Sequence, residues 1–260
     1  MNLQLREEDD LDLRLCEKTA LVTGASMGIG HAIAGGLAAE GVKLCIAARR
    51  RDLLDELARE ILAAGGPQAQ IAAVDLMEKD GPQKLAQEAM KGLGQIDILI
   101  NSAGASHSMA IDTPDEDWLE AMALNFTQLR RLTLAVVPDM IKHKWGRIIN
   151  ISGKSEMMSL LSASSPKAAV HAFAKALSWE VAKHGITVNC IGPGRIMTEQ
   201  VRRRDSPQWI AEHAAREIPM GRYGEPKELS CVAAFLASPI AGYITGAVIP
   251  VDGGMRRFAF

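Results

Sequence analysis

Seven short apolar runs, separated by stretches with helical spacing, constrain this chain more than any other feature. The runs cover 19–22, 42–48, 70–74, 96–100, 146–151, 186–191 and 247–251. They are rich in Val, Ile, Leu and Ala and do not alternate with polar residues, so they read as strands covered on both faces, the mark of a parallel sheet. Between them, 29–40 carries Ile29, Ala32, Ile33, Gly36 and Leu37 at helical intervals, and 52–64 places Leu53, Leu54, Leu57, Ile61 and Leu62 on one side. Further helices are expected over 81–93, in one long element after Pro114, and over 164–184, 198–216 and 226–237. Repeated strand–helix–strand units with right-handed crossovers give an α/β fold, a doubly wound parallel sheet of about seven strands with helices on both faces.

With 260 residues, 48% of them hydrophobic, and a net charge of −2, the chain suits one globular unit. That unit is expected to span 13–260, after an N-terminal extension at 1–12. The balanced charge sets up no global field for nucleic acid or an anionic membrane. No apolar run approaches the ~20 residues of a membrane span. The acidic start (Glu7, Glu8, Asp9, Asp10) is unlike a targeting segment. Cys16, Cys45, Cys190 and Cys231 lie far apart without metal spacing, and buried reduced thiols in a cytoplasmic protein are expected. The six histidines show no metal pattern either.

Gly24, Gly28 and Gly30 stand between the first strand and the first helix. Glycines there let the backbone turn tightly and approach a pyrophosphate, whose charge then meets the helix N-terminus. A glycine triplet alone also suits an ordinary strand–helix turn. Here it sits in Thr23-Gly24-Ala25-Ser26-Met27-Gly28-Ile29-Gly30, and other elements follow in order: Asn101-Ser102-Ala103-Gly104, Asn125, Lys167-Ala168-Ala169, Pro193-Gly194 with Thr198, and Val251-Asp252-Gly253-Gly254. In these elements the chain resembles the short-chain dehydrogenase/reductase family, and within it the 3-oxoacyl-carrier-protein reductases, from about 13 to 255. The resemblance implies a single-domain Rossmann-type fold, a homotetramer, and hydride exchange between a nicotinamide nucleotide and a small-molecule carbonyl or alcohol substrate. It implies cofactor contacts at Gly24, Ser26, Met27, Gly28, Ile29, Gly30, Arg49, Arg50, Asp75, Leu76, Asn101, Ala103, Gly104, Lys167, Pro193, Gly194, Ile196 and Thr198. Where NAD-binding members carry an acid after the second strand, this chain has Ala48, then arginines at 49–51. Arginine suits a 2′-phosphate, so NADP is expected over NAD, although Met27 offers no second basic contact.

The family's proton donor is a tyrosine four residues before the lysine, on the same helix face. Here that position is Ala163, and the chain's two tyrosines, Tyr223 and Tyr243, are remote, with Tyr243 expected to be structural. The serine that would polarise the carbonyl is displaced as well: Gly153 stands in its place, Ser152 faces the other way along the strand, and Ser155 reaches the site only if its loop bends. Asn125, Lys167 and Ser155 are therefore the candidate catalytic residues. Three readings stand open: a divergent oxidoreductase with a non-standard proton source, an engineered variant of an active reductase, and a catalytically silent NADP-binding regulatory or structural protein.

The segment 195–220 falls where the family keeps a substrate lid. Its arginines at 202–204 suit either an acidic substrate or, more simply, a solvated helix face. Met157, Met158, Leu160, Leu161, Met197 and Trp209 are candidates for an apolar pocket or for lid packing. His107 is the histidine best placed for substrate, and His171 lies one turn beyond Lys167. Trp118, Trp145 and Trp179 are expected to pack, since no basic residues interleave them as a nucleic-acid platform requires.

Overall fold

A computed structural model describes residues 12–153 and 159–258. Seven strands form one sheet: β1 (Thr19–Thr23), β2 (Lys43–Ala48), β3 (Gln70–Ala73), β4 (Ile98–Asn101), β5 (Gly146–Ile151), β6 (Ile186–Pro193) and β7 (Val248–Val251). Their order is β3-β2-β1-β4-β5-β6-β7, and every pairing is parallel. The helices are α1 (Gly28–Ala39), α2 (Arg51–Ala63), α3 (Gly81–Leu93), α4 (Asp115–Met122), α5 (Gln128–His143), α6 (Ser164–Val181), α7 (Glu199–Arg204), α8 (Pro207–Glu217) and α9 (Pro226–Ala237).

The uniformly apolar strands split their side chains between two cores with the period of two that a strand imposes. Ala20 and Val22 enter one core with Ile98, Ile100, Ile149, α1, α2 and α9. Leu21, Leu99 and Ile148 enter the other, with Leu85, Leu132, Val136 and Val170 of α3, α5 and α6. Both faces are thus covered, as expected from strands without alternation.

Several local expectations are corrected. The single helix after Pro114 is instead α4, a π-helical turn at Ala123–Thr127, and α5, which contains Pro138. The helix over 198–216 is two helices, because Ser206 caps α8 by accepting from the Trp209 amide (3.2 Å) and Pro207 occupies its first turn. Leu62 is exposed, and only Leu54, Leu57 and Ile61 of the α2 stripe are buried. Trp179 is 78% exposed and Tyr243 fully so, which removes both from packing roles within the chain. Cys45 and Cys190 are buried thiols, pushed up to about 12 and about 11 chiefly by burial, whereas Cys16 and Cys231 are exposed. No described helix is long and apolar enough to cross a membrane.

Leu99 is fully buried at the centre of the sheet. Leu99→Ala is expected to cost about 2–5 kcal/mol, read as a lower urea midpoint with an unchanged slope.

Candidate functional site

The strand order reverses direction at β1, whose neighbours are β2 and β4. Crossovers leave this point toward opposite faces, so the turns after β1 and β4 part and open a crevice at the carboxyl ends of the strands. A groove of about 380 Å³ lies there, lined among others by Gly24, Ser26, Met27, Gly28, Ile29, Gly30, Arg49, Arg50, Asp75, Leu76, Ala103, Gly104 and Thr198.

The glycines are required by the packing beneath the groove. Gly24 has φ +67, and a Cβ there would stand 2.8 Å from the Ala103 nitrogen. A Cβ on Gly30 would stand 2.3 Å from the Gly24 carbonyl oxygen. Gly28 has φ +61 and opens α1, whose cap residue Met27 supplies no side-chain bond. Amides at the start of α1 therefore face the groove without a capping side chain of their own turn, as an anion site needs. Arg49 and Arg50 line the far end, and neither is held in an ion pair among the described residues; Arg51 instead reaches Asp55 along α2 (3.8 Å). The Asp75 carboxylate accepts from the Met77 amide at 2.9 Å, which fixes the turn after β3. A glycine cradle for a pyrophosphate and two guanidinium groups beyond it, without an ion pair among the described residues, fit a nicotinamide dinucleotide.

At the other end, Gly104 lies against two polar side chains: a Cβ there would be 2.7 Å from Asn125 Oδ1 and 3.4 Å from Lys167 Nζ. Asn125 is buried in the π-helical turn, an element that often marks functional positions. Its Oδ1 accepts from the Ala105 amide (3.2 Å) and its Nδ2 donates to the Ala121 carbonyl (3.1 Å). Lys167, 7% exposed, donates to the Ile151 carbonyl at 2.8 Å. Burial pulls its ammonium down to about 8.

Ala163 caps α6 one turn before Lys167, whose amide donates to the Ala163 carbonyl (2.9 Å). Of the neighbouring hydroxyls, Ser162 and Ser152 are engaged and Ser164 is not. Ser162 Oγ accepts from the His107 amide (3.0 Å) and lies 3.2 Å from Nδ1 of the same residue, which ties the turn after β4 to the start of α6. Ser164 Oγ is buried and has no partner among the described residues. Ser152 Oγ donates to the Ile191 carbonyl (3.0 Å) and meets His171 Nε2 (2.8 Å), away from the groove. Burial, and then Lys167, lower the pKa of His171. Ser155, Met157 and Met158 lie outside the described residues.

Some expected contacts are not brought to the groove. The Asn101 side chain turns into the sheet, donating to Thr133 Oγ1 (3.0 Å) and Asn150 Oδ1 (2.9 Å), so its amide is used in holding β4 to β5. Lys167, Pro193, Gly194 and Ile196 do not line the groove, and Ile196 pairs instead with Gly224. Met197 lines a second pocket with Ile210 and Ala214, and Trp209 stacks on His213. Conversely, Glu199 and Gln200 line the groove although no motif marks them, and Glu199 accepts from the Gly28 amide at 3.1 Å. Their position directly after Thr198 was the available signal.

The depressed Lys167 pKa carries a stability signature. Above about pH 8 the folded chain has released this proton while the unfolded chain holds it up to the ordinary lysine range. The stability difference between the parent and Lys167→Met is therefore expected to rise in the parent's favour from about pH 8 to about 10.5, measured by urea denaturation across that range. A flat difference would contradict the buried position.

Comparison with known proteins agrees with this architecture. A family model described as enoyl-(acyl carrier protein) reductase matches residues 24–256. A 3-oxoacyl-[acyl-carrier-protein] reductase of Synechocystis is 38% identical over 94% of this chain and 99% of its own length. Among solved structures, L-sorbose reductase from Gluconobacter frateurii, complexed with NADPH and L-sorbose, superposes with a TM-score of 0.90 at 32% identity, covering 95% of this chain and all of that one. A Pseudomonas aeruginosa protein, RhlG in an active-site complex with NADP, gives 0.87 at 33% identity over 95% of this chain and 99% of that one. The sheet, the glycine turn and these matches together show that the chain belongs to the short-chain dehydrogenase/reductase family, a family of nicotinamide-dependent oxidoreductases, and resembles its 3-oxoacyl-carrier-protein reductases.

Proposed function

We propose that the chain is an NADP-linked oxidoreductase acting between an alcohol and a carbonyl, with proton transfer slowed by the absence of a phenol at position 163. The observation that carries the reading is the groove itself: the glycine turn, Arg49 and Arg50 line it, and so does Gly104, behind which the side chains of Asn125 and Lys167 lie. When bound, the nicotinamide supplies or accepts the hydride. Arg49 and Arg50 suit a 2′-phosphate through charge-assisted bonds, and the NADPH and NADP complexes of the two structural relatives support that choice. Lys167 stands one helical turn from Ala163, where its charge favours anionic groups near the ribose and the developing alkoxide. Asn125 holds the turn at Ala105 that borders the reacting end.

The substrate class proposed is a small carbonyl or alcohol compound, with 3-oxoacyl thioesters the first candidates because the curated relatives carry that name. The segment 195–220, with α7 and α8, is proposed as the cover of the substrate side. A homotetramer is supported by apolar side chains left on the surface of α5 and α6, Leu134 and Trp179, which a second copy would cover.

The test is NADPH consumption over ketones, ketoses and 3-oxoesters, comparing the parent with Ala163→Tyr. A general acid contributes typically about 10²–10⁴-fold, so the variant is expected to gain at least about 10²-fold in kcat while the parent turns over slowly. A parent that turns over quickly, with no gain from tyrosine, would show that another proton source operates. Silence from both chains despite bound NADPH would favour a binding role.

A further inference from the structure

The first amide of α1 already has an anionic partner. Glu199 Oε2 accepts from the Gly28 N–H across 171 residues of sequence, and Met27 offers that helix no side-chain cap. Glu199 thus caps α1 from another part of the chain. It is the first residue of α7, and the segment carrying it is set firmly against the groove. The Met197 amide donates to the Gly224 carbonyl (2.8 Å) and the Gly224 amide to the Arg195 carbonyl (2.9 Å), which pins the root of the segment. The Thr198 methyl lies 3.3 Å from where a Gly28 Cβ would stand, and Thr198, Glu199 and Gln200 all line the groove. The other ionic contacts of α7 do not involve α1: Arg202 reaches Glu225 before α9 (3.6 Å), and Arg204 makes a two-pronged contact with Asp205 (2.9 and 2.7 Å).

The start of α1 is also the place where a dinucleotide's pyrophosphate seeks backbone amides. One N–H cannot serve a carboxylate and a phosphate together, and the two anions repel at this range. We propose that Glu199 is an internal competitor for the cofactor's phosphates: its carboxylate latches α7 to the dinucleotide turn, lowers cofactor affinity, and leaves the turn when the cofactor enters. Cofactor binding and the position of the 198–204 segment are then coupled, since the same side chain belongs to both. The proposal rests on the reading of the groove as the NADP site.

The experiment uses the full chain and three variants. Glu199→Gln keeps the size of the side chain and removes its charge. Glu199→Asp keeps an acid at the start of α7 but is one methylene too short for Gly28, and Glu199→Ala removes the group. NADPH affinity is read by titration, and exposure of α7 by the rate of trypsin cleavage at Arg202, Arg203 and Arg204. Expected are NADPH binding about two- to fivefold tighter in Glu199→Gln, the size of one relieved charge at an exposed helix end, and faster cleavage of Glu199→Asp and Glu199→Ala than of the parent without cofactor. Saturating NADPH is expected to abolish that difference in cleavage.

Glu199→Asp cleaved at the parent's rate would overturn the latch, because the acid would then act only on its own helix. NADPH binding no tighter in Glu199→Gln would overturn the competition. Absence of NADPH binding in every chain would refute the NADP reading of the groove and with it the competition, while the cofactor-free cleavage rates would still decide the latch.

Discussion

The Thr23 hydroxyl joins the two turns on which the site is built. It donates to the Ile100 carbonyl (3.2 Å) and accepts from the amides of Ser102 (3.1 Å) and Ala103 (3.2 Å), so the ends of β1 and β4 are held together just below the groove. The approach is possible only because Gly24 has no side chain there and Gly30 lets α1 sit on the Gly24 carbonyl. Any Cβ at these points would lift α1 and spread the turns. With them in place, the helix N-terminus faces the crevice made by the reversal of strand order, and Gly104 is brought under Asn125 and Lys167. Backbone proximity at one point thus sets both ends of the groove.

Much of this was legible in the residues. Apolar runs such as 19–22 and 186–191 declared buried strands because burial on both faces leaves no room for polar alternation. The glycines announced the turn because few other side chains tolerate its φ and its packing. The π-helical turn at Asn125 was not legible, since one extra residue in a helical repeat leaves the apolar spacing of 115–143 nearly intact. The break before α8 had a signal, Ser206 followed by Pro207, that the apolar pattern outweighed. Exposure was the least readable property: Trp179 and Tyr243 are apolar or aromatic, but hydrophobicity alone does not say whether a side chain meets its own core or the surface. Asn101 and Glu199 show the same limit at the site. A motif marks the first, yet its amide serves Thr133 and Asn150; no motif marks the second, which contacts Gly28 only through the fold.

Position 163 separates two tasks that the family normally performs together. Lys167 remains buried beside Gly104 with its ammonium on the Ile151 carbonyl, and its pKa of about 8 leaves it mainly charged at neutral pH. Asn125 still supports the turn at Ala105. On the proposed function these two groups would serve orientation and electrostatic stabilisation, which supply a large share of an enzyme's acceleration. The methyl group of Ala163 has no proton to donate. Two of the surrounding hydroxyls are engaged elsewhere, Ser162 with His107 and Ser152 with Ile191 and His171.

Calorimetric titration of the full chain with NADPH and with NADH tests most directly what the groove holds. One NADPH per chain, bound at least about tenfold more tightly than NADH as expected for a 2′-phosphate met by arginine, is the predicted result. Equal or tighter binding of NADH, or no heat from either nucleotide, would contradict it.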